Sequence, residues 1–89
     1  MENDIDGLTQ LALQQWGKET QLDIVIEECA ELIDAIQKWR RNRVGIERVV
    51  EEGVDVEICL AQLKLILNNT VLWKNIREEK LIRLAGLFR

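Results

Sequence analysis

The chain has 89 residues, 47% of them apolar, which is enough for one domain and leaves no room for a second. Its net charge of −4 argues against a nucleic-acid backbone as partner. No apolar run approaches the ~18 residues of a membrane span, so a membrane is not expected as a partner either.

Proline is absent and apolar residues recur every three or four positions, which predicts helices throughout. The first helix runs from about Asp4 to Trp16, capped by Asn3 or Asp4 and ended at Gly17. Thr20 followed by Asp23 has the spacing of a capping box and predicts the start of the second helix, which continues to about Arg41. The polar stretch Arg40-Arg41-Asn42-Arg43-Val44-Gly45 breaks the pattern, and the third helix extends from about Ile46 to Leu67. Asn68-Asn69-Thr70 is the next break, with Thr70 as the cap of a fourth helix that reaches nearly to the end. Short connections make consecutive helices antiparallel neighbours, so the expected fold is all-α, a four-helix antiparallel bundle in one domain spanning 1–89. So small a domain without a disulfide framework gains from association through its helical faces, and a homodimer or homotetramer is expected. Cys29 and Cys59 lie in separate apolar segments, as buried reduced thiols do, and the acidic Met1-Glu2-Asn3-Asp4 lacks the basic start of a secretion signal. The expected location is the cytoplasm.

Carboxylates interrupt the apolar pattern at two places. With Glu28 at zero on the helical wheel, Ile24, Leu32, Ala35 and Trp39 fall within about 40° of it. Glu28 therefore occupies the middle of the apolar arc, and Glu31 sits at its edge, one turn on. Glu27 points toward the solvated stripe of Asp34, Lys38 and Arg41. On the third helix, Asp55 shares its direction with Glu51, Cys59, Gln62 and Ile66, while Glu52 falls between Cys59 and Leu63. Gly53 stands between the two acids, where its helix cost of about 1 kcal/mol calls for close approach of another helix or a ligand. Antiparallel packing of the two helices would bring Glu28, Glu31, Glu52 and Asp55 together, and a small domain cannot crowd such charges without a cation. Absence of histidine disfavours di-iron and zinc sites, leaving Mg²⁺ or Mn²⁺ for an all-oxygen donor set.

Glu28-x-x-Glu31, twenty residues, then Glu52-x-x-Asp55 resembles the paired signature of the MazG-like nucleoside triphosphate pyrophosphohydrolases, of the all-α nucleotide pyrophosphatase group. Glu27-Glu28-Cys29-Ala30-Glu31-Leu32 has that family's Glu-Glu-x-x-Glu-Leu form, and the likeness extends from about Leu11 to Leu84. The resemblance implies Mg²⁺-dependent cleavage of a (deoxy)nucleoside triphosphate between the α and β phosphates, in nucleotide-pool housekeeping. It makes Glu28, Glu31, Glu52 and Asp55 the metal ligands, with Glu27 or Glu51 orienting or deprotonating the attacking water. The family's Asn seven residues beyond the motif Asp is Gln62 here, and its Lys-Phe-x-x-Arg-Phe-like segment corresponds to Lys80-Leu81-Ile82-Arg83-Leu84, with Arg83 one residue early.

Lys80 falls among Trp73, Ile76, Leu84 and Leu87 on the fourth helix, where its long stem can carry the ammonium toward a phosphate. Trp16, at the end of the first helix, is placed to stack on a base. The rival reading is a helical dimerisation module of phage or bacterial origin that catalyses nothing; such a module gains nothing from four inward acids.

Overall fold

The computed structural model describes residues 4–89, and among them the architecture is all-α: four helices and no strand. Helix α1 spans Ile5–Trp16, α2 Lys18–Arg40, α3 Ile46–Leu67 and α4 Thr70–Gly86. The spine is the long pair α2 and α3, which pack closely along each other, with α1 laid mainly on α3. Helix α4 is barely packed against the other three, and none of its residues is buried.

The helix ends show how local chemistry sets the boundaries. Asp4 caps α1, its Oδ2 accepting from the Gly7 amide at 3.1 Å; the alternative cap, Asn3, lies outside the described residues. The capping box expected at Thr20 and Asp23 does not form. Helix α2 begins two residues earlier, at Lys18, because Gly17 reverses the chain in a single residue with φ +86° and ψ 165°. That conformation is essentially confined to glycine. A Cβ at Gly17 would meet nothing within 4 Å, so the cost of filling the position is purely conformational. Gly17→Ala is expected to destabilise the fold by about 1–3 kcal/mol, read as a lower urea midpoint at unchanged slope. Thr70 is the first residue of α4 rather than its cap, since Asn69 Oδ1 takes the Leu72 amide at 3.2 Å. Two asparagines adopt the left-handed conformation that their short polar side chains tolerate: Asn42 after α2 and Asn68 at the end of α3.

The core is thin. Among the described residues the buried apolar ones are Val25, Ala35 and Cys59, while twenty-two large apolar side chains are exposed. Trp39, within the apolar arc of α2 on the wheel, is 44% exposed.

Candidate metal centre

The register of α2 against α3 builds the site. The two helices run in opposite directions from the loop at 41–45, so a step away from the loop on one is matched by a step away on the other. Glu28 thereby faces Asp55, and Glu31 faces Glu52. The electrostatics follows that pairing: Asp55 lies close enough to Glu28, and Glu31 to Glu52, for each to favour the protonated form of its neighbour. One oxygen from each of Glu28, Glu31 and Glu52 lies within 4.8 Å of the other two. Glu52 is buried at 4% exposure, Glu28 half-buried and Glu31 exposed; Asp55, expected as the fourth member, is exposed beside Glu28 but outside the three oxygens that converge.

The electrostatics is that of crowded acids. Burial raises the pKa of Glu28 above its ordinary value, and the charges of Glu31, Asp55 and Glu52 push it the same way. Glu52 is also raised, first by burial, against the lowering effect of Arg48; Glu31 and Asp55 add to the rise. Arg48 approaches Glu52 Oε1 at 3.3 Å from one turn earlier on α3, with its own side chain half-exposed. It was not singled out in the sequence, although its i,i+4 spacing from Glu52 is a legible signal. The arginine engages one oxygen only: Glu52 Oε2 and Glu28 Oε2 are both buried without a hydrogen-bond partner. Orphaned carboxylate oxygens converging in a sheltered seam are the donor set a hard divalent cation takes, so these residues fit Mg²⁺ or Mn²⁺.

Two turns further from the loop, on both helices, stand Gln21 and Gln62. Both are buried, and the Nε2 of each lacks a partner. They line an open cavity of about 830 Å³ between α1 and the α2–α3 seam, together with Trp16, Ile24, Ile58 and Cys59. Gln62 and Trp16 are thus brought into one cavity. Gln21, absent from the sequence-based candidates, was detectable by its seven-residue offset from Glu28 on the same helical face. Cys59 joins this cavity to the carboxylates: its thiol is pushed up to about 11, first by burial and then by the charges of Glu28 and Asp55, with a contribution from Cys29. Both cysteines are free.

Other candidates lie elsewhere. Glu27 and Glu51 are exposed on α2 and α3, next in sequence to the clustered acids but outside the group that converges. Lys80 lines a different cavity, with Lys64, Trp73 and Arg77, on the opposite side of α3. Arg83 is exposed and lines neither cavity. The physical reason is the position of α4, which meets the Gly53–Glu57–Lys64 face of α3 rather than the Glu52–Asp55 face; Lys64 Nζ sits 5.1 Å from the Trp73 ring centre. Asp34 and Lys38 pair at 2.9 Å on the solvated stripe of α2, an exposed contact of small energetic weight. No helix among the described residues is long and apolar enough to cross a membrane. Compared with family models, curated proteins and solved structures, the chain matches none of them.

Proposed function

We propose that this chain is a divalent-metal-dependent hydrolase that cleaves nucleoside triphosphates to a monophosphate and pyrophosphate, as its likeness to the MazG-like enzymes implies. The observation that carries the reading is the pair of buried, unpartnered oxygens, Glu28 Oε2 and Glu52 Oε2, beside the carboxylates of Glu31 and Asp55. A structural bundle has no use for them, because each leaves a desolvated acceptor uncompensated.

In this reading Glu28, Glu31, Glu52 and Asp55 hold the ion, and Mg²⁺ or Mn²⁺ bound there supplies charge neutralisation for the phosphates and acidifies water. By the family likeness, Glu27 or Glu51, each next in sequence to a clustered acid though outside the oxygens that converge, orients the attacking water and accepts its proton. The water oxygen bonds to the α-phosphorus, the bond from that phosphorus to the α–β bridging oxygen breaks, and pyrophosphate leaves. Trp16 offers a face on which a base can stack: it is 60% exposed and lines the same cavity as Cys59, whose thiol feels the charges of Glu28 and Asp55. The Gln21 and Gln62 amides would hydrogen-bond to the edge of that base, which gives their unpartnered groups a ligand to satisfy them.

The direct test is a panel of ribo- and deoxyribonucleoside triphosphates with Mg²⁺ or Mn²⁺, assayed separately for pyrophosphate and for orthophosphate. Pyrophosphate release from at least one of them, abolished by chelator, is the expected result. Orthophosphate alone would mean attack at the γ-phosphate and a different reaction; no release from any substrate would favour the interaction module.

A further inference from the structure

The fold supplies the carboxylates with a cation that the sequence did not nominate. Lys80 and Arg83, the sequence-based candidates for the substrate's phosphates, lie away from the α2–α3 seam. Among the described residues, Arg48 is the cation that an ion pair joins to a clustered acid, since the other ion pair, Lys38 with Asp34, stands on the solvated stripe of α2. The Arg48 contact is one-sided. Its Nη1 reaches Glu52 Oε1 at 3.3 Å, while Glu52 Oε2 is left without a partner for an ion to take. A guanidinium carries five N–H donors in a planar fork, so one contact of this kind leaves most of them unused. The Arg48 side chain is 48% exposed against 5% for that of Glu52, which puts the free donors at the open margin of the cluster.

The seam has two unlike ends. The cavity at the Trp16 end is lined by no Lys, Arg, Asp or Glu. At the other end Arg40, Arg41 and Arg43 stand exposed in and beside the loop at 41–45, one turn or so beyond Arg48. Gln62 in the uncharged cavity and Glu52 beside Arg48 are separated by about 15 Å of helix, with the level of Glu28 and Asp55 between them. A nucleoside triphosphate carries its parts in the same order: an uncharged base, the α-phosphate where the bond breaks, and a tail that holds most of the negative charge.

We propose, resting on the hydrolase reading of the same carboxylates, that Arg48 binds the β and γ phosphates of the substrate and holds them as pyrophosphate when the bond to the α-phosphorus breaks. The substrate then has a direction on the seam, with its base in the Trp16 cavity and its phosphate tail toward the loop. As the bond breaks, its electron pair stays on the bridging oxygen, so negative charge gathers on the group beside the guanidinium. A donor fixed in advance by Glu52 stabilises that charge without having to reorganise. The planar fork suits two phosphate oxygens at once. Arg48 by itself does not draw an anion into a cluster of acids. The bound ion reverses the local sign first, so pyrophosphate binds together with Mg²⁺ and not without it.

Calorimetric titration of the parent and of Arg48→Gln separates the two events, first with Mg²⁺ alone and then with inorganic pyrophosphate at saturating Mg²⁺. Arg48→Gln should keep its Mg²⁺ affinity within a few-fold and lose pyrophosphate affinity roughly tenfold or more, the worth of a charge-assisted contact. Arg48→Lys, which keeps the charge and loses the fork, should recover part of that affinity. Equal pyrophosphate affinity in the parent and Arg48→Gln overturns the proposal while the metal centre stands. So does a parent that binds Mg²⁺ but no pyrophosphate. A loss of about 10–100-fold in the Mg²⁺ affinity of Arg48→Gln overturns it as well, because Arg48 would then serve only to orient Glu52. A parent that takes up no Mg²⁺ defeats the hydrolase reading itself, and this proposal with it.

Discussion

Glu52→Gln and Glu28→Gln are each expected to lower pyrophosphate release by more than about 100-fold, with helix content unchanged. Loss of a group that only hydrogen-bonds to a metal ligand already costs a metal site about 10–100-fold, and these two carboxylates are assigned to the ion itself. The two variants should nevertheless differ in a way that a generic loss of structure would not produce. Glu52 is the more buried and is partly neutralised by Arg48, so its replacement frees the arginine as well as removing a ligand. Glu28 has no such cation, and burial together with Glu31, Asp55 and Glu52 makes its charged form costly in the folded state. Replacing Glu28 by the neutral isostere therefore removes repulsion, and the metal-free variant should unfold at a higher temperature than the metal-free parent. Turnover and metal-free stability move in opposite directions, which is the signature of a residue kept for function at the expense of the fold. Activity within a few-fold of the parent in either variant would remove the corresponding ligand from the site. An unchanged or lower melting temperature for metal-free Glu28→Gln would show that its charge is compensated by the fold.

The position of these acids was legible because helical periodicity is a strong signal over a long amphipathic segment. Glu28 within the arc of Ile24, Leu32 and Ala35, and Glu52 between Cys59 and Leu63, can be placed without any tertiary information. Both come out sheltered, and Glu31, placed at the arc's edge, comes out exposed. Asp55 shows where the wheel runs out. It shares its direction with Gln62, which is buried, yet is itself exposed. The angle gives a direction, and only the extent of the covering elements decides what is buried along it. Helix α1 lies over the seam at the level of Cys59 and Gln62, and Glu52 is buried among the acids of α2, while Asp55 has neither cover. Lys80 illustrates a second limit. Its place in an apolar stripe was evident, but which face of α3 that stripe meets depends on the turn at Asn68 and Asn69, and it meets the side opposite the carboxylates. The start of α2 was missed for a third reason. A capping box competes with glycine punctuation, and the one-residue turn at Gly17 placed α2 before Thr20 could act as its cap.

Adding Mg²⁺ to the chelator-treated protein should raise its unfolding temperature at neutral pH and have little effect in acid. The sign follows from the two raised carboxyls. Glu28 and Glu52 hold protons in the folded state to a higher pH than their ordinary value of 4.5, so between the two values the native state binds more protons than the unfolded chain. Their contribution to the metal-free protein is thus fully present below pH 4.5 and is lost as pH rises through the folded values. Metal reverses the trend, since it needs the deprotonated carboxylates and its affinity grows as those protons leave. At ten times the dissociation constant the ion adds about 1.4 kcal/mol. In a domain of this size that corresponds to about 6–11 °C. Two melting curves against pH, one with chelator and one with Mg²⁺, should therefore converge in acid and separate toward neutrality. Curves that stay superimposed across the range would mean the clustered oxygens hold no ion. A constant offset down to pH 4 would place the metal on groups other than Glu28 and Glu52.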